Sequence, residues 1–307
     1  MDNWFKTTLL LGALTILMLI IGKLIGGQQG MYFAFILAIG MNFFSYWFSD
    51  KIVLRMHHAS EINPQEHHDL YQMVDYLAQR ANIPMPRVYL IPGASPNAFA
   101  TGRSPEYGVI AVTEGLLNLM NRDEILGVLA HEMAHIKNRD ILIGSIAATM
   151  AGAIMIIANM ARWSAIFGFG SQDDDEGGLG VIGMILMSIL APIAAMVVQM
   201  AISRSREYLA DATGANFAGD PKGLANALRK LGTYSERIPM QASPNTAHMF
   251  IVSPLTGNHL ANLFSTHPPL EDRIARLTGS GSFPRQYQGG SGNGKDAAAK
   301  AWKDLAP

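Results

Sequence analysis

Long apolar stretches constrain the fold of this chain more than any other feature of its sequence. They lie at about residues 7–26, 31–48, 141–162 and 179–202, and the last two carry no charge apart from Arg162. A helix that crosses a bilayer needs about twenty such residues. The sequence therefore predicts a mainly α membrane protein with four hydrophobic helices, paired as hairpins within residues 1–50 and 141–202.

The second hairpin has an alternative, since helices rich in Gly, Ala and Met can also pack inside a large soluble core. Either arrangement returns the chain to the side it left, so residues 51–140 and 203–286 form one domain on that side. Lys and Arg near the apolar stretches are more frequent there, which places this domain in the cytoplasm. The Gly/Ser- and Ala/Lys-rich residues 287–307 are predicted to be a disordered tail.

The sequence His-Glu-Met-Ala-His at residues 131–135 predicts a metal site on a helix. His131 and His135 are separated by four residues and face one side of a helix, where both can bind one Zn²⁺. Glu132 then lies beside the metal and can take a proton from a water that the metal activates. The alternative is an amphipathic helix with two half-buried histidines, because short motifs also arise by chance.

A catalytic zinc site needs a third protein ligand. Asn138 and Ile141 stand where a metzincin would have Gly and His, so that extension of the motif is excluded. The remaining downstream candidates are Glu176, Glu207, Glu236 and Glu271. We favour Glu207 because Asp211, four residues later, can accept a hydrogen bond from a ligand histidine. The alternative is an exposed helix with ordinary surface ion pairs.

Short β-like runs at residues 87–91, 98–101 and 108–113 precede the histidine motif, and turn residues separate them. They predict a small β meander whose edge strand could hold an extended peptide. The expected domain is thus a zincin-like α+β catalytic domain. A net charge of −1 gives no case for nucleic-acid binding, and the absence of cysteine excludes disulfides and Cys metal ligands.

Sequence blocks spread over most of the chain resemble the HtpX family of bacterial membrane zinc metallopeptidases, which is similar to the CAAX prenyl endopeptidases. They are Pro-Asn-Ala-Phe-Ala-Thr-Gly (96–102), His-Glu-Met-Ala-His (131–135), Ser-Arg-Ser-Arg-Glu-Tyr-Leu-Ala-Asp-Ala (203–212) and Ser-Thr-His-Pro-Pro-Leu-Glu-Asp-Arg-Ile (265–274). The resemblance implies a multi-pass endopeptidase of the bacterial inner membrane. Its expected substrates are damaged or misassembled membrane proteins and unfolded proteins, often under stress.

The resemblance also implies roles for individual residues. It makes His131, His135 and Glu207 the ligands of one Zn²⁺ and Glu132 the catalytic acid and base. It places His267 near the substrate oxyanion and adds Arg273, which follows His267 in the same block, as a residue behind the ligands. It further implies that Asn97 and Ala98 bind substrate in the cleft. Without the resemblance, His267 and Asn97 are ordinary turn residues.

Two other functions also use a zinc site of this kind in a membrane protein. An intramembrane zinc protease carries the histidine motif within a spanning helix, but here charged residues surround it: Asp123, Glu124, Lys137, Arg139 and Asp140. A membrane scaffold with a structural zinc would not need Glu132, and structural sites usually have four protein ligands. The sequence therefore favours a peptidase whose site lies outside the bilayer.

Overall fold

The computed structural model describes residues 3–152, 154, 204–235, 246–252 and 268–279. His267, most of the predicted hairpin at 141–202 and the predicted tail at 287–307 lie outside these residues. The helices are α1 (Asn3–Met56), α2 (His68–Ala81), α3 (Glu114–Leu119), α4 (Arg122–Lys137), α5 (Ile141–Gly152), α6 (Arg204–Ala218), α7 (Pro221–Ser235) and α8 (Leu270–Leu277). The strands are β1 (Ser60–Glu61), β2 (Arg87–Ile91), β3 (Ala98–Thr101) and β4 (Val109–Thr113).

The first two apolar stretches form the two arms of α1, and the chain reverses between them at Gly27, where φ is +58°. The arms lie side by side, because the Asn42 amide donates to Thr15 Oγ1 at 3.0 Å. The second arm, Gly27–Met56, is long and apolar enough to cross a membrane. It ends six residues beyond the predicted boundary at residue 50.

The third apolar stretch begins as α5 directly after the metal motif and packs against the second arm of α1. Ser45 Oγ lies 3.1 Å from Met150 Sδ in this contact. On its other side, Ser145 Oγ lies 2.7 Å from Thr101 Oγ1 of β3. The apolar helices and the sheet are therefore in direct contact.

The sheet has the order β1-β2-β4-β3, so the predicted β meander is wrong. β2 and β4 are parallel neighbours, and β3 pairs antiparallel with β4 at the edge of the described sheet. The chain passes from β2 to the far edge and returns through a hairpin to fill the central position. All residues of β4 are buried, which is typical of a central strand and explains why β4 separates β2 from β3.

Helix α4 runs through the centre of the domain, and its apolar side chains Val128, Leu129, Met133 and Ile136 are fully buried. Its start is fixed by a capping box: the Glu124 N–H donates to Asn121 Oδ1, and the Asn121 N–H donates to Glu124 Oε2. β3 covers one side of this helix, while α6 and α7 cover another. The histidine motif lies in its last two turns and is therefore held by the core.

Candidate metal centre and active site

The structure brings His131, His135 and Glu207 together. The Nε2 atoms of the two histidines lie 3.2 Å apart. Glu207 Oε1 lies 3.4 Å from His135 Nε2, and Glu207 Oε2 lies 3.8 Å from His131 Nε2. Among the described residues, this is the group of His, Asp and Glu side chains that could hold a metal ion.

The donor set fits a zinc ion. Tetrahedral zinc has bonds of about 2.0–2.2 Å to nitrogen and oxygen, which sets neighbouring ligand atoms about 3.3–3.6 Å apart. The observed separations of 3.2, 3.4 and 3.8 Å lie close to that range. Two imidazoles and one carboxylate are also a combination that catalytic zinc sites use, with a fourth position left for solvent.

Gly214 lets α6 approach α4 closely enough for Glu207 to reach the two histidines. A methyl group at Gly214 would lie 2.8 Å from the backbone nitrogen of His131, which is closer than packing permits. Gly214 follows Glu207 by seven residues and Asp211 by three, so all three face α4. On this face of α6, Glu207 supplies a metal ligand and Asp211 supplies a hydrogen-bond acceptor. Gly214 leaves the space that brings both side chains close to α4.

Behind His131, Asp211 and Arg273 form a buried pair. Asp211 Oδ1 lies 2.9 Å from His131 Nδ1, and so it can accept the Nδ1 proton and leave Nε2 free to bind a cation. Arg273 is fully buried and donates to Asp211 through Nε and Nη2, at 2.8 and 2.7 Å. Burial opposes the charge on Asp211, but Arg273 and His131 outweigh it and lower the pKa of this carboxyl.

Behind His135, the corresponding carboxylate is Asp140, which our sequence analysis did not assign to the site. Asp140 Oδ2 lies 3.3 Å from His135 Nδ1. Burial disfavours the charged imidazole, but Asp140, Glu207 and Glu132 outweigh burial and raise the pKa of His135 to about 9. His131 differs, because burial lowers its pKa to about 4 despite the Asp211 contact.

Glu132 lies on the cavity side of the same helix and is 1% exposed. Burial raises the pKa of its carboxyl to about 7, while His135 opposes this change. The Ala100 N–H of β3 donates to the carboxylate, but the buried Oε1 atom has no hydrogen-bond partner in the part of the chain that the structure describes. A carboxyl with a pKa near neutrality and a free oxygen can exchange a proton with a molecule in the cavity.

Residues 246–252 form the opposite wall of this cavity. The Ile251 N–H donates to the Ala98 carbonyl at 3.0 Å, and the Asn97 Nδ2 group donates to the Val252 carbonyl at 2.9 Å. Arg273 Nη1 donates to the Ile251 carbonyl at 2.9 Å. Asn97 and Ala98 thus contact this segment in the structure, and Arg273 joins it to the buried pair behind His131.

The helix with paired histidines, the glutamate on a neighbouring helix and the free carboxylate in the cavity define a metallopeptidase. Peptidase family M48 matches residues 64–280, which include all of these side chains. The chain therefore belongs to peptidase family M48, in the group of HtpX proteases.

Relatives of high identity extend over the full chain. A protease HtpX homolog of Desulfatibacillum aliphaticivorans is 62% identical over 309 residues and covers 99% of this chain and 100% of the relative. One from Desulforapulum autotrophicum is 63% identical, with the same coverage. One from Pyrococcus furiosus is 56% identical and covers 89% of this chain and 94% of the relative.

The fold is also similar to the crystal structure of S. mikatae Ste24p. The TM-score is 0.50 at 20% identity, and the match covers 87% of this chain and 62% of that chain. At this identity the likeness concerns the fold alone. Together with the long apolar arm of α1, the family and the fold fit a membrane-bound metalloprotease.

Proposed function

We propose that this protein is a zinc-dependent endopeptidase of the bacterial inner membrane that cleaves membrane proteins and unfolded proteins on the cytoplasmic side. Its role would be protein quality control, including under stress. The observation that carries the chemistry is the cluster of His131, His135 and Glu207 with the free Oε1 of Glu132 in the same cavity. Glu132 is the group that a non-catalytic metal site would not need.

The division of work among the residues follows from their contacts. His131, His135 and Glu207 would hold the zinc. When bound, zinc lowers the pKa of a coordinated water to about 7 and polarises a carbonyl group. Glu132 accepts a proton from the attacking water and delivers it to the leaving amine. Burial suits Glu132 to both steps, because a pKa of about 7 makes its charged and neutral forms similar in free energy near neutral pH.

Asp211 and Arg273 are positioning residues in this proposal. Asp211 accepts the Nδ1 proton of His131 and so fixes the ring tautomer that presents Nε2 to the metal. Arg273 keeps Asp211 ionised and oriented through paired hydrogen bonds. Asp140 does the corresponding work for His135.

Substrate would lie against the edge of β3, near Ala100. We propose that Asn97 and Ala98 serve substrate binding by holding the wall formed by residues 246–252, since their hydrogen bonds to that wall are the contacts that support a role at the cleft. His267 is proposed to stabilise the oxyanion, as the family resemblance implies. Donors of this type contribute about 3–4 kcal/mol to transition-state stabilisation.

A membrane position is supported by the surface of α1. Its second arm exposes Tyr32, Phe33, Ile36, Phe43, Phe44 and Trp47. Exposed apolar area of this kind is typical of contact with lipid. Near the end of the arm, the guanidinium of Arg103, from the β3–β4 hairpin, lies 4.4 Å from the Trp47 ring. This contact supports a cleft close to the bilayer surface, where loops of membrane proteins are within reach.

Metal removal tests the proposed activity directly. Detergent-purified protein should cleave casein, lose this activity in a zinc chelator, and recover it when about one equivalent of Zn²⁺ per chain is restored. Mg²⁺ should not restore cleavage, because two imidazole ligands disfavour it relative to zinc. Casein cleavage that persists after the zinc content has fallen to background would contradict the proposal.

Topology is a separate prediction, because the site requires residues 51–140 and 204–235 on one side of the membrane. The chain has no cysteine, so single cysteines can be introduced at Ser60, Ser171 and Ser280 without background. An impermeant thiol reagent should label position 171 in spheroplasts and label positions 60 and 280 only after lysis. Labelling of 60 and 280 from outside would contradict a cytoplasmic catalytic domain, and protection of 171 would mean that the second hairpin does not span.

A further inference from the structure

We propose that Arg206 binds a main-chain carbonyl oxygen of the substrate, next to the scissile bond. This inference rests on the proposed endopeptidase function and adds a substrate-binding residue to it. Arg206 precedes Glu207 on α6 and lines the same cavity as Glu132 and His135. Its side chain is 12% exposed, whereas Arg204 on the same helix is exposed to solvent.

The guanidinium of Arg206 has a donor without an acceptor in the described part of the chain. Its Nε atom lies 3.9 Å from Asp140 Oδ1, which is too long for a hydrogen bond. Its Nη1 atom is buried and has no hydrogen-bond partner among the described residues. Leaving a charged donor buried and unpaired is costly, so such a group at a cavity wall indicates a ligand that is bound there during function.

Arg273 shows what a structural arginine looks like in this protein. Its Nε and Nη2 atoms donate to Asp211 at 2.8 and 2.7 Å, and its Nη1 atom donates to the Ile251 carbonyl at 2.9 Å. Each of its three nitrogens has an acceptor within the fold. Arg206 has the same chemistry and lines the cavity, but its Nη1 atom has no acceptor in the described part of the fold. This difference separates the two roles.

The charges around Arg206 select the kind of acceptor. Asp140 and Glu207 already place two carboxylates next to the guanidinium. A third carboxylate, from an acidic substrate side chain or a chain terminus, would be repelled by both. A neutral carbonyl oxygen accepts from the guanidinium without adding like charge. Such a contact also suits an enzyme that cleaves many sequences, because every residue of a peptide has a main-chain carbonyl.

The test compares Arg206→Gln with Arg204→Gln, a matched change at an exposed position of the same helix. The probe is a quenched fluorescent peptide from casein whose cleavage site has been mapped by mass spectrometry. Arg206→Gln should lower kcat/KM by about tenfold to a hundredfold, the range of a hydrogen bond to a charged donor, with unchanged zinc content. Arg206→Lys should recover only part of this loss, and Arg204→Gln should behave as wild type.

Thioamide peptides locate the contact, because sulfur is a weaker hydrogen-bond acceptor than oxygen. The carbonyl groups beside the scissile bond are replaced one at a time. A thioamide at the carbonyl that Arg206 binds should lower the cleavage rate of the wild type, but it should not lower the rate of Arg206→Gln further. If Arg206→Gln slows at every position as the wild type does, or if it loses zinc, the inference is wrong. A zinc-loaded wild-type protein that leaves casein intact, so that no cleavage site can be mapped, would instead contradict the endopeptidase function itself.

Discussion

Replacing Glu132 with Gln should leave zinc bound and lower casein cleavage by about a hundredfold to ten-thousandfold, the range that general acid and base catalysis contributes. The metal ligands are unchanged, and the amide fills nearly the same volume as the carboxyl. The amide cannot accept the proton of the attacking water, so the step that Glu132 performs is lost. This expectation depends on the position of Glu132 in the cavity wall and on its buried Oε1 atom, which has no hydrogen-bond partner among the described residues.

Zinc content and cleavage rate should be measured on the same preparation of the Glu132→Gln protein. Glu66→Gln is the matched control, because Glu66 is exposed and does not line the cavity that contains Glu132. The control should retain both zinc and activity. Cleavage by Glu132→Gln at the wild-type rate would exclude Glu132 as the base, and loss of zinc would show that this side chain helps to hold the metal.

The part of the site that lies on one helix could be predicted from the sequence. His131 and His135 are separated by one helical turn, and the capping box of Asn121 and Glu124 fixes where the helix begins. Glu207 and Asp211 are also separated by one helical turn, so the sequence alone predicts that they lie on the same face of a helix. In each case a local spacing determines which side chains point in the same direction.

The contacts that join distant segments could not be predicted in the same way. The same three β runs can pair as a meander or, as here, with β2 and β3 separated by β4. The sequence does favour a central position for β4, because Val-Ile-Ala-Val at 109–112 is an uninterrupted apolar run of the kind found in central strands. The wall at 246–252 has no such signal, since its hydrogen bonds to Ala98, Asn97 and Arg273 depend on tertiary packing.

Asp140 and Arg206 were missed for a related reason. Neither residue has a helical spacing that singles it out. Asp140 follows α4 after a turn at Arg139, where φ is +59°, and this turn brings its carboxylate back toward His135. Arg206 lies one residue from a ligand, but the lack of a partner for Nη1 is visible only in three dimensions.

Replacing Glu207 with Ala should remove most of the bound zinc and with it the proteolytic activity. The change deletes a metal bond and leaves the buried Arg273, whose Nη1 atom lies 3.7 Å from Glu207 Oε2, with less compensating charge. Asp211→Asn should weaken zinc binding less, by about tenfold to a hundredfold, because Asp211 acts through His131 rather than on the metal. Zinc affinity should therefore fall more when the ligand is removed than when the residue that orients a ligand is changed.

The measurement is a zinc titration of each purified variant against a competing chelator, with circular dichroism to verify that the domain is folded. Glu271→Ala is the control, since Glu271 is an exposed glutamate on α8 and was an alternative ligand by sequence. It should bind zinc as the wild type does. Normal zinc binding by Glu207→Ala together with zinc loss in Glu271→Ala would overturn the ligand assignment. Equal losses of zinc affinity in folded Glu207→Ala and Asp211→Asn would have a different meaning. The orientation of His131 would then contribute as much to zinc affinity as the carboxylate ligand does. The reason is that His131 without its acceptor can present the wrong nitrogen to the metal.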